Sequence, residues 1–274
     1  MDGFKVDVAD AIATITLDRP ERMNTLTRAS AMDLAQVFDR TDADDAVRAV
    51  IVTGTGRAFC AGADLSGAGF GEAPEGDEVT RDWGGILTMR MFDSLKPIIA
   101  AVNGVAAGVG ATMLLPMDIR IASTDARFGF VFARRGIVPE SASSWFLPRV
   151  VGISRALEWC YSGRVFEAEE ALEAGLVRSL HAPGELLDAA RRLARDIADN
   201  AAPVSVALTR RMLWGMMTAD HPMDAHRMES GMITTRGRSS DAREGVAAFR
   251  EKRPPQFPDV VSTGIEGVPP PRAW

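Results

Sequence analysis

Ala101-Val102-Asn103-Gly104-Val105-Ala106-Ala107-Gly108-Val109-Gly110-Ala111-Thr112-Met113-Leu114-Leu115 is the stretch from which the fold is read. It opens as the end of an apolar, strand-like run that stops at Asn103-Gly104. It then passes through small residues only and becomes an apolar, helix-like run. Gly104, Gly108 and Gly110 let the backbone bend and let another group come close. A strand that breaks at glycines and opens into a helix leaves backbone N–H groups free at the helix start, where they suit an anion or a developing negative charge. Tight packing of a buried helix explains the same small residues equally well, so the surrounding chain has to decide.

Working outward, Phe4-Lys5-Val6-Asp7-Val8 and Ala11-Ile12-Ala13-Thr14-Ile15-Thr16-Leu17 alternate apolar and polar around Asp10, which predicts a hairpin. Thr27 is placed to cap a helix carrying Met32, Leu34, Val37 and Phe38. Ala49-Val50-Ile51-Val52-Thr53 reads as a buried strand, followed by a second small-residue turn, Ala58-Phe59-Cys60-Ala61-Gly62-Ala63-Asp64-Leu65. Residues 66–82 lack periodicity and read as a lid or a disordered loop, with Glu72, Glu75, Asp77, Glu78 and Asp82 as its acids. A helix through Ile86, Met89, Met91, Phe92 and Leu95 follows, then the strand Ile98-Ile99-Ala100-Ala101-Val102. Asp118-Ile119-Arg120-Ile121-Ala122 and Ala126-Arg127-Phe128-Gly129-Phe130 read as strands, and so does Gly175-Leu176-Val177. Beyond Pro183 helices are expected to about Arg253, and then a proline-rich tail, extended or disordered. The pattern predicts an α/β core over 1–195 and a helical C-terminal region over 196–274.

Composition narrows the functions. The 274 residues carry a formal net charge of −6, which disfavours nucleic acid and membrane surfaces as partners. Cys60 and Cys160 form no paired motif, and His181, His221 and His226 are scattered, so neither a disulfide framework nor a metal site is expected. The N-terminal residues lack the basic-then-apolar pattern of a signal peptide, and no apolar run would span a bilayer; a cytoplasmic protein is expected. Gly54-Thr55-Gly56 follows a strand, but Phe59 stands where a dinucleotide fingerprint needs its third glycine.

Both small-residue turns follow an apolar strand, and two N–H groups converging from such turns make an oxyanion hole. Phe59-Cys60-Ala61-Gly62-Ala63-Asp64-Leu65 resembles the first oxyanion turn of the crotonase, or enoyl-CoA hydratase/isomerase, superfamily. Lys96-Pro97-Ile98-Ile99-Ala100-Ala101-Val102-Asn103-Gly104 to Gly110 resembles the second. Leu17-Asp18-Arg19-Pro20-Glu21-Arg22-Met23-Asn24, Asp118-Ile119-Arg120-Ile121-Ala122 and the run from Glu244 to Arg253 are similar to further motifs of the family, in register. The resemblance implies a spiral of ββα units with a helical C-terminal trimerisation region, a homotrimer or a hexamer of paired trimers, and an acyl-CoA thioester substrate. No cofactor is implied beyond that coenzyme A. It also implies oxyanion donors at the N–H groups of Ala63 and Val109. Substrate contacts fall at Arg22, Ala61, Asp64, Leu65, Gly108 and Phe132, with Phe249 and Lys252 reaching the CoA of a neighbouring subunit.

The departures from the family are as informative. Hydratases of this family use two glutamates; here those positions hold Thr112 and Phe132, and neither does carboxylate chemistry. One carboxylate remains in a well-placed motif, Ile137-Val138-Pro139-Glu140-Ser141-Ala142-Ser143-Ser144-Trp145, similar to the segment of peroxisomal-type Δ3,Δ2-enoyl-CoA isomerases that carries their single glutamate. A double-bond shift needs one base to take a proton at C2 and return it at C4, which a single carboxylate can do. Neighbours such as Phe132 and Trp145 would raise the pKa of Glu140 and a helix N-terminus would lower it; the sequence leaves the balance open. An N-terminal helix-turn glutamate is the structural alternative for Glu140, and capping and helix packing are the expected roles of Ser141, Ser143 and Ser144. The expected function is an isomerase of this type. Hydration by Glu140 with a lid acid, and a catalytically silent acyl-CoA binder, are the alternatives.

Overall fold

The computed structural model describes residues 3–66 and 81–265. The chain opens with a hairpin of β1 (Phe4–Ala9) and β2 (Ile12–Leu17), whose turn residues Asp10 and Ala11 both have positive φ, as a tight two-residue turn requires. Helix α1 (Arg28–Ala43) follows, capped by Thr27. Three pairs of short strands come next: β3 (Ala49–Gly54) with β4 (Ala58–Cys60), β5 (Ile98–Val102) with β6 (Val105–Ala107), and β7 (Ile119–Ser123) with β8 (Arg127–Gly129). Helices α2 (Trp83–Phe92), α3 (Val109–Thr112), and α4 (Ser143–Val151) with α5 (Ile153–Ser162) follow the respective pairs. After β9 (Val165–Glu167), α6 (Ala168–Glu173) and β10 (Leu180–His181), the chain is helical: α7 (Leu186–Asn200), α8 (Pro203–Met216), α9 (Pro222–Arg236), α10 (Ser240–Glu251) and α11 (Val261–Gly264).

Each strand pair bends between two sheets. The first sheet has the order β1-β2-β3-β5-β7-β10 and the second β4-β6-β8-β9. Parallel pairing from β2 through β10 and from β4 through β8 makes every repeat step the same way, so the ββα units stack as a spiral. The larger sheet is covered on both faces, which is why its strands read as unbroken apolar runs. Val50, Val52, Ile98, Ala100 and Val102 face the central core, while Ile51, Ile99 and Ala101 face Ala189, Ala190 and Ala194 of α7.

The opening stretch is built differently from the strand-then-helix expected. Between Gly104 and Gly108 the chain makes a strand, β6, in the second sheet. The helix that follows is a single turn ending at Thr112, because Pro116 lacks an N–H and disfavours helical backbone at Leu115; Met113-Leu114-Leu115 continue as buried turns. Helix α2 stops at Phe92, short of Leu95. Gly175-Leu176-Val177 is not a strand: Gly175 has φ +74° and the N–H groups of Leu176 and Val177 turn back to Ala171 O, so backbone bonding to β7 starts only at Arg178, whose N–H donates to Arg120 O at 2.8 Å. The residues after Pro254 are tied down, not loose, as far as residue 265. Gln256 N–H donates to Glu244, Asp259 N–H to Asp241 and Ser262 N–H to Asp45, and α11 packs on α8. Pro269, Pro270 and Pro271 lie outside the described residues.

Candidate active site

The two small-residue turns lie side by side at the ends of β4 and β6. Leu26 bridges the first turn as a parallel strand would: its N–H donates to Gly62 O at 2.9 Å, and its carbonyl accepts from Asp64 N–H at 2.8 Å. Successive backbone groups alternate in direction along an extended chain. The N–H of Ala63, between those two, therefore points away from Leu26. The second turn approaches from β6, where a Cβ on Gly108 would lie 3.7 Å from Gly62 Cα. Val109 begins α3, so its N–H has no intrahelical partner. Gly110 allows this proximity, because a Cβ there would collide with the backbone of Cys60. Among the described residues, neither the Ala63 nor the Val109 N–H donates to a backbone carbonyl of the surrounding turns and loops.

Two asparagines hold the first turn in place. Asn24 is buried, with its amide donating to Thr55 O at 2.9 Å and Ala58 O at 2.8 Å. Asn103 accepts from Gly54 N–H at 3.0 Å and donates to Gly56 O and Ala58 O at 3.0 and 3.1 Å. The residue that ends β5 thus fixes the loop that feeds β4, joining the two turns mechanically. Asp64 accepts from Ser66 and from Arg19 Nη2 at 3.3 Å, and the Ser66 hydroxyl and N–H hold its carboxyl below the ordinary carboxylate range.

Glu140 meets this frame from the other side. Its Oε1 accepts from Thr112 Oγ1 at 2.7 Å, and its Oε2 from Ser141 Oγ. Thr112 is the last residue of α3, about 4.5 Å along the axis from Val109. One short helix therefore carries both the Val109 N–H and the hydroxyl that holds the carboxylate. Helix α4 begins at Ser143 with Ala142 as its N-cap, so Glu140 precedes the helix; the helix-turn alternative for it fails. Burial, the largest influence, raises the Glu140 carboxyl above its ordinary value; the Ser141 and Thr112 hydroxyls oppose this, and Asp82 adds to the rise. Cys60 lies close by, its buried thiol pushed up to about 12 and thus neutral.

The remaining candidates are distributed unevenly. Ala61 and Gly108 lie in the two turns, and Phe132 is buried beneath the site in the central core. Arg22 and Leu65 are exposed at the rim. Phe249, 85% exposed, and Lys252, which ends α10 in a left-handed conformation, lie on the C-terminal helices and are not brought to the site within this chain. Ser141 does not cap α4, whose N-cap is Ala142 with no side-chain cap; it donates to Glu140, as Thr112 does, and neither contact shows in residue spacing. Of the lid acids, Asp82 is the N-cap of α2, and the other four lie outside the described residues. A cavity of about 1010 Å³ opens beyond Ala142, lined by Met89, Phe92, Trp145, Phe146 and Trp214 among others.

Comparison with known proteins shows the family. Residues 7–260 match the family model described as enoyl-CoA hydratase/isomerase. The chain is 44% identical over 254 residues to the enoyl-CoA hydratase ACTT3 of Alternaria alternata, covering 92% of this chain and 85% of that one. It is 38% identical to the 1,2-epoxyphenylacetyl-CoA isomerase of Escherichia coli (strain K12), covering 94% and 98%. The crystal structure of an enoyl-CoA hydratase from Bacillus anthracis superposes with a TM-score of 0.84 at 31% identity, covering 93% and 99%. The chain belongs to the enoyl-CoA hydratase/isomerase family and has the crotonase fold.

Proposed function

We propose that the chain is an acyl-CoA isomerase that shifts a carbon–carbon double bond, with Glu140 as its single base. Glu140 removes a proton from C2 of a 3-enoyl-CoA and returns it at C4. The N–H groups of Ala63 and Val109 hold the thioester oxygen while it carries the dienolate charge; such a donor is typically worth roughly 3 kcal/mol in a transition state. The observation that carries this reading is the desolvated Glu140 carboxyl, held by the hydroxyl of Thr112 where a hydratase glutamate would otherwise stand. A carboxylate raised toward neutral pH is a stronger base for a C–H proton and still returns it readily.

Coenzyme A enters as part of the substrate, with Arg22, Ala61, Asp64, Leu65, Gly108 and Phe132 about it, and no other cofactor or metal is required. The exposed apolar side chains Leu213, Ile233, Val246 and Phe249 on α8–α10 support a homotrimer or hexamer in which Phe249 and Lys252 reach a neighbour's CoA. Among the described residues no helix is long and apolar enough to cross a membrane, and we place the enzyme in the cytoplasm.

Hydration of a 2-enoyl-CoA is the second reading, favoured by the carboxyl group of Asp82 beside Glu140. Turnover of 3-enoyl- and 2-enoyl-CoA by wild type and Glu140→Gln separates the possibilities. The isomerase reading expects 3-enoyl-CoA turnover that Glu140→Gln abolishes, with CoA-ester binding retained. Turnover of 2-enoyl-CoA alone selects hydration, and binding without either activity selects a silent binder. Glu140→Gln active on both esters would remove Glu140 from the mechanism.

A further inference from the structure

Helix α2 begins with an arrangement that helix formation alone does not explain. Its N-cap, Asp82, accepts from Gly85 N–H at 2.5 Å, which is ordinary capping. The same oxygen also accepts from Ser141 N–H at 3.2 Å, across 59 residues. Thr88, one turn along α2, donates its hydroxyl to Ser141 O at 3.0 Å. The residue after Glu140 is thus gripped by α2 at both its N–H and its carbonyl. Ser141 and the next residue, Ala142, have φ of +59° and +54°, a left-handed backbone unfavourable to residues with a Cβ. Such a conformation persists where surrounding contacts impose it.

The first turn of α2 also holds Gly84-Gly85, a poor choice for a helix. A Cβ on Gly84 would collide with Glu140 Oε2 and Ser141 Oγ, and Asp82 Oδ1 lies 3.3 Å from the same point. The missing side chain is the gap across which two carboxyl groups face each other. Asp82 reaches the surface, whereas Glu140 is largely enclosed.

We propose that Asp82 is a positioning residue for Glu140: it clamps the Ser141 peptide in its left-handed conformation and sets a second carboxyl group against that of Glu140 across Gly84. The inference rests on the reading of Glu140 as the base. Like charges set close together disfavour ionisation. Asp82 accordingly adds to the rise that burial imposes on Glu140, against the Ser141 and Thr112 hydroxyls. Cys60 of β4 also lies within reach of the Glu140 charge, which helps to keep its buried thiol neutral. Glu140 therefore keeps its proton to higher pH than it would without Asp82.

Asp82→Asn in the full-length chain tests this, because asparagine caps a helix as well as aspartate and keeps an acceptor oxygen while losing the charge. The acidic limb of the pH profile of kcat/KM for double-bond transfer is expected to move to lower pH, with Tm nearly unchanged. Infrared difference spectra of the Glu140 carboxyl, identified by its loss in Glu140→Gln, read the same shift without turnover. Asp82→Ala, which also releases the Ser141 peptide, is expected to lose kcat about ten-fold or more, with KM little changed. A limb and an infrared titration that coincide with wild type in Asp82→Asn would overturn the pairing, whether or not Asp82→Ala folds. Inactive Glu140→Gln beside that result leaves the base in place and removes only the role of Asp82; active Glu140→Gln removes the base itself.

Discussion

A buried carboxyl group is a cost to the fold, and at Glu140 its sign can be worked out. Burial raises this carboxyl above its ordinary value, so the folded chain binds the proton more tightly than the unfolded chain does. Stability then falls as pH rises past the unfolded value, about 4.3, and the loss is complete above the raised folded value. Glu140→Gln, expected to abolish turnover, also removes this loss. The variant is expected to melt at a higher temperature than wild type at about pH 7.5, and the difference is expected to vanish below about pH 4. Thermal melts at the two pH values check it; a variant less stable than wild type at the higher pH would show that the ionised carboxylate stabilises the fold. Glu140 itself was legible in the sequence, because it alone stood in a motif with carboxylate chemistry. Its partners were not. Thr112 showed only as a missing glutamate, Ser141 as a helix cap, and Asp82 as one lid acid among five. Their roles arise from contacts across 28 residues for Thr112 and 59 for Asp82, which no local pattern encodes.

At the scale of elements, the strands were legible wherever an apolar run was buried on both faces, as in β3 and β5. Strand β6 was not, because Val105-Ala106-Ala107 lies between glycines and is defined by its neighbours Ala58 and Arg127 in the second sheet. What makes the step between sheets reproducible is Asn103, whose side chain completes three hydrogen bonds to the loop of residues 54–58. Asn24 binds the same loop from the opposite end of the motif. Asn103→Ala leaves the half-buried Gly54 N–H without this partner and weakens the hold on Ala58 O, at about 0.5–1.5 kcal/mol, the net worth of an ordinary hydrogen bond. We expect it to lower stability by that amount in chemical denaturation. It should also lower kcat more than it raises KM, because the first turn, with the Ala63 N–H, drifts from the second. An Asn103→Ala protein with wild-type kcat would show that the Gly54–Ala58 loop does not position the turn.

At the scale of the whole molecule, Arg210, a buried cation of α8, joins the C-terminal helices to the spiral. Arg210 of α8 donates to Met91 O at 2.9 Å, Phe92 O at 2.6 Å, Ser94 O at 2.7 Å and Pro116 O at 3.3 Å, and pairs with Asp118 at 2.9 Å. Asp118 also accepts from Trp214 and from Ile98 N–H, at the start of β5. Met91 and Phe92 end the helix whose first turn grips Ser141, so Arg210 anchors α2 at the end opposite Glu140. Phe92, Trp145, Phe146 and Trp214 close around the same junction in edge-on contacts, with ring centroids 4.7–5.8 Å apart. The motif around Asp118 was legible from the sequence as a strand. Its partner 92 residues away was not, because Arg210 sits in a helix with no polar pattern to mark it. Arg210→Met keeps the apolar stem and removes every donor, leaving a carboxylate and four carbonyls short of partners. Breaking a buried pair from one side costs roughly 3–5 kcal/mol, and that is the loss expected in urea denaturation. Asp118→Asn in the same background should recover part of it, since the stranded charge is then gone. If Arg210→Met were neutral and the double variant no better, the C-terminal helices would dock without this cation, through contacts such as the aromatic cluster, and α2 would hold Glu140 without an anchor at its far end.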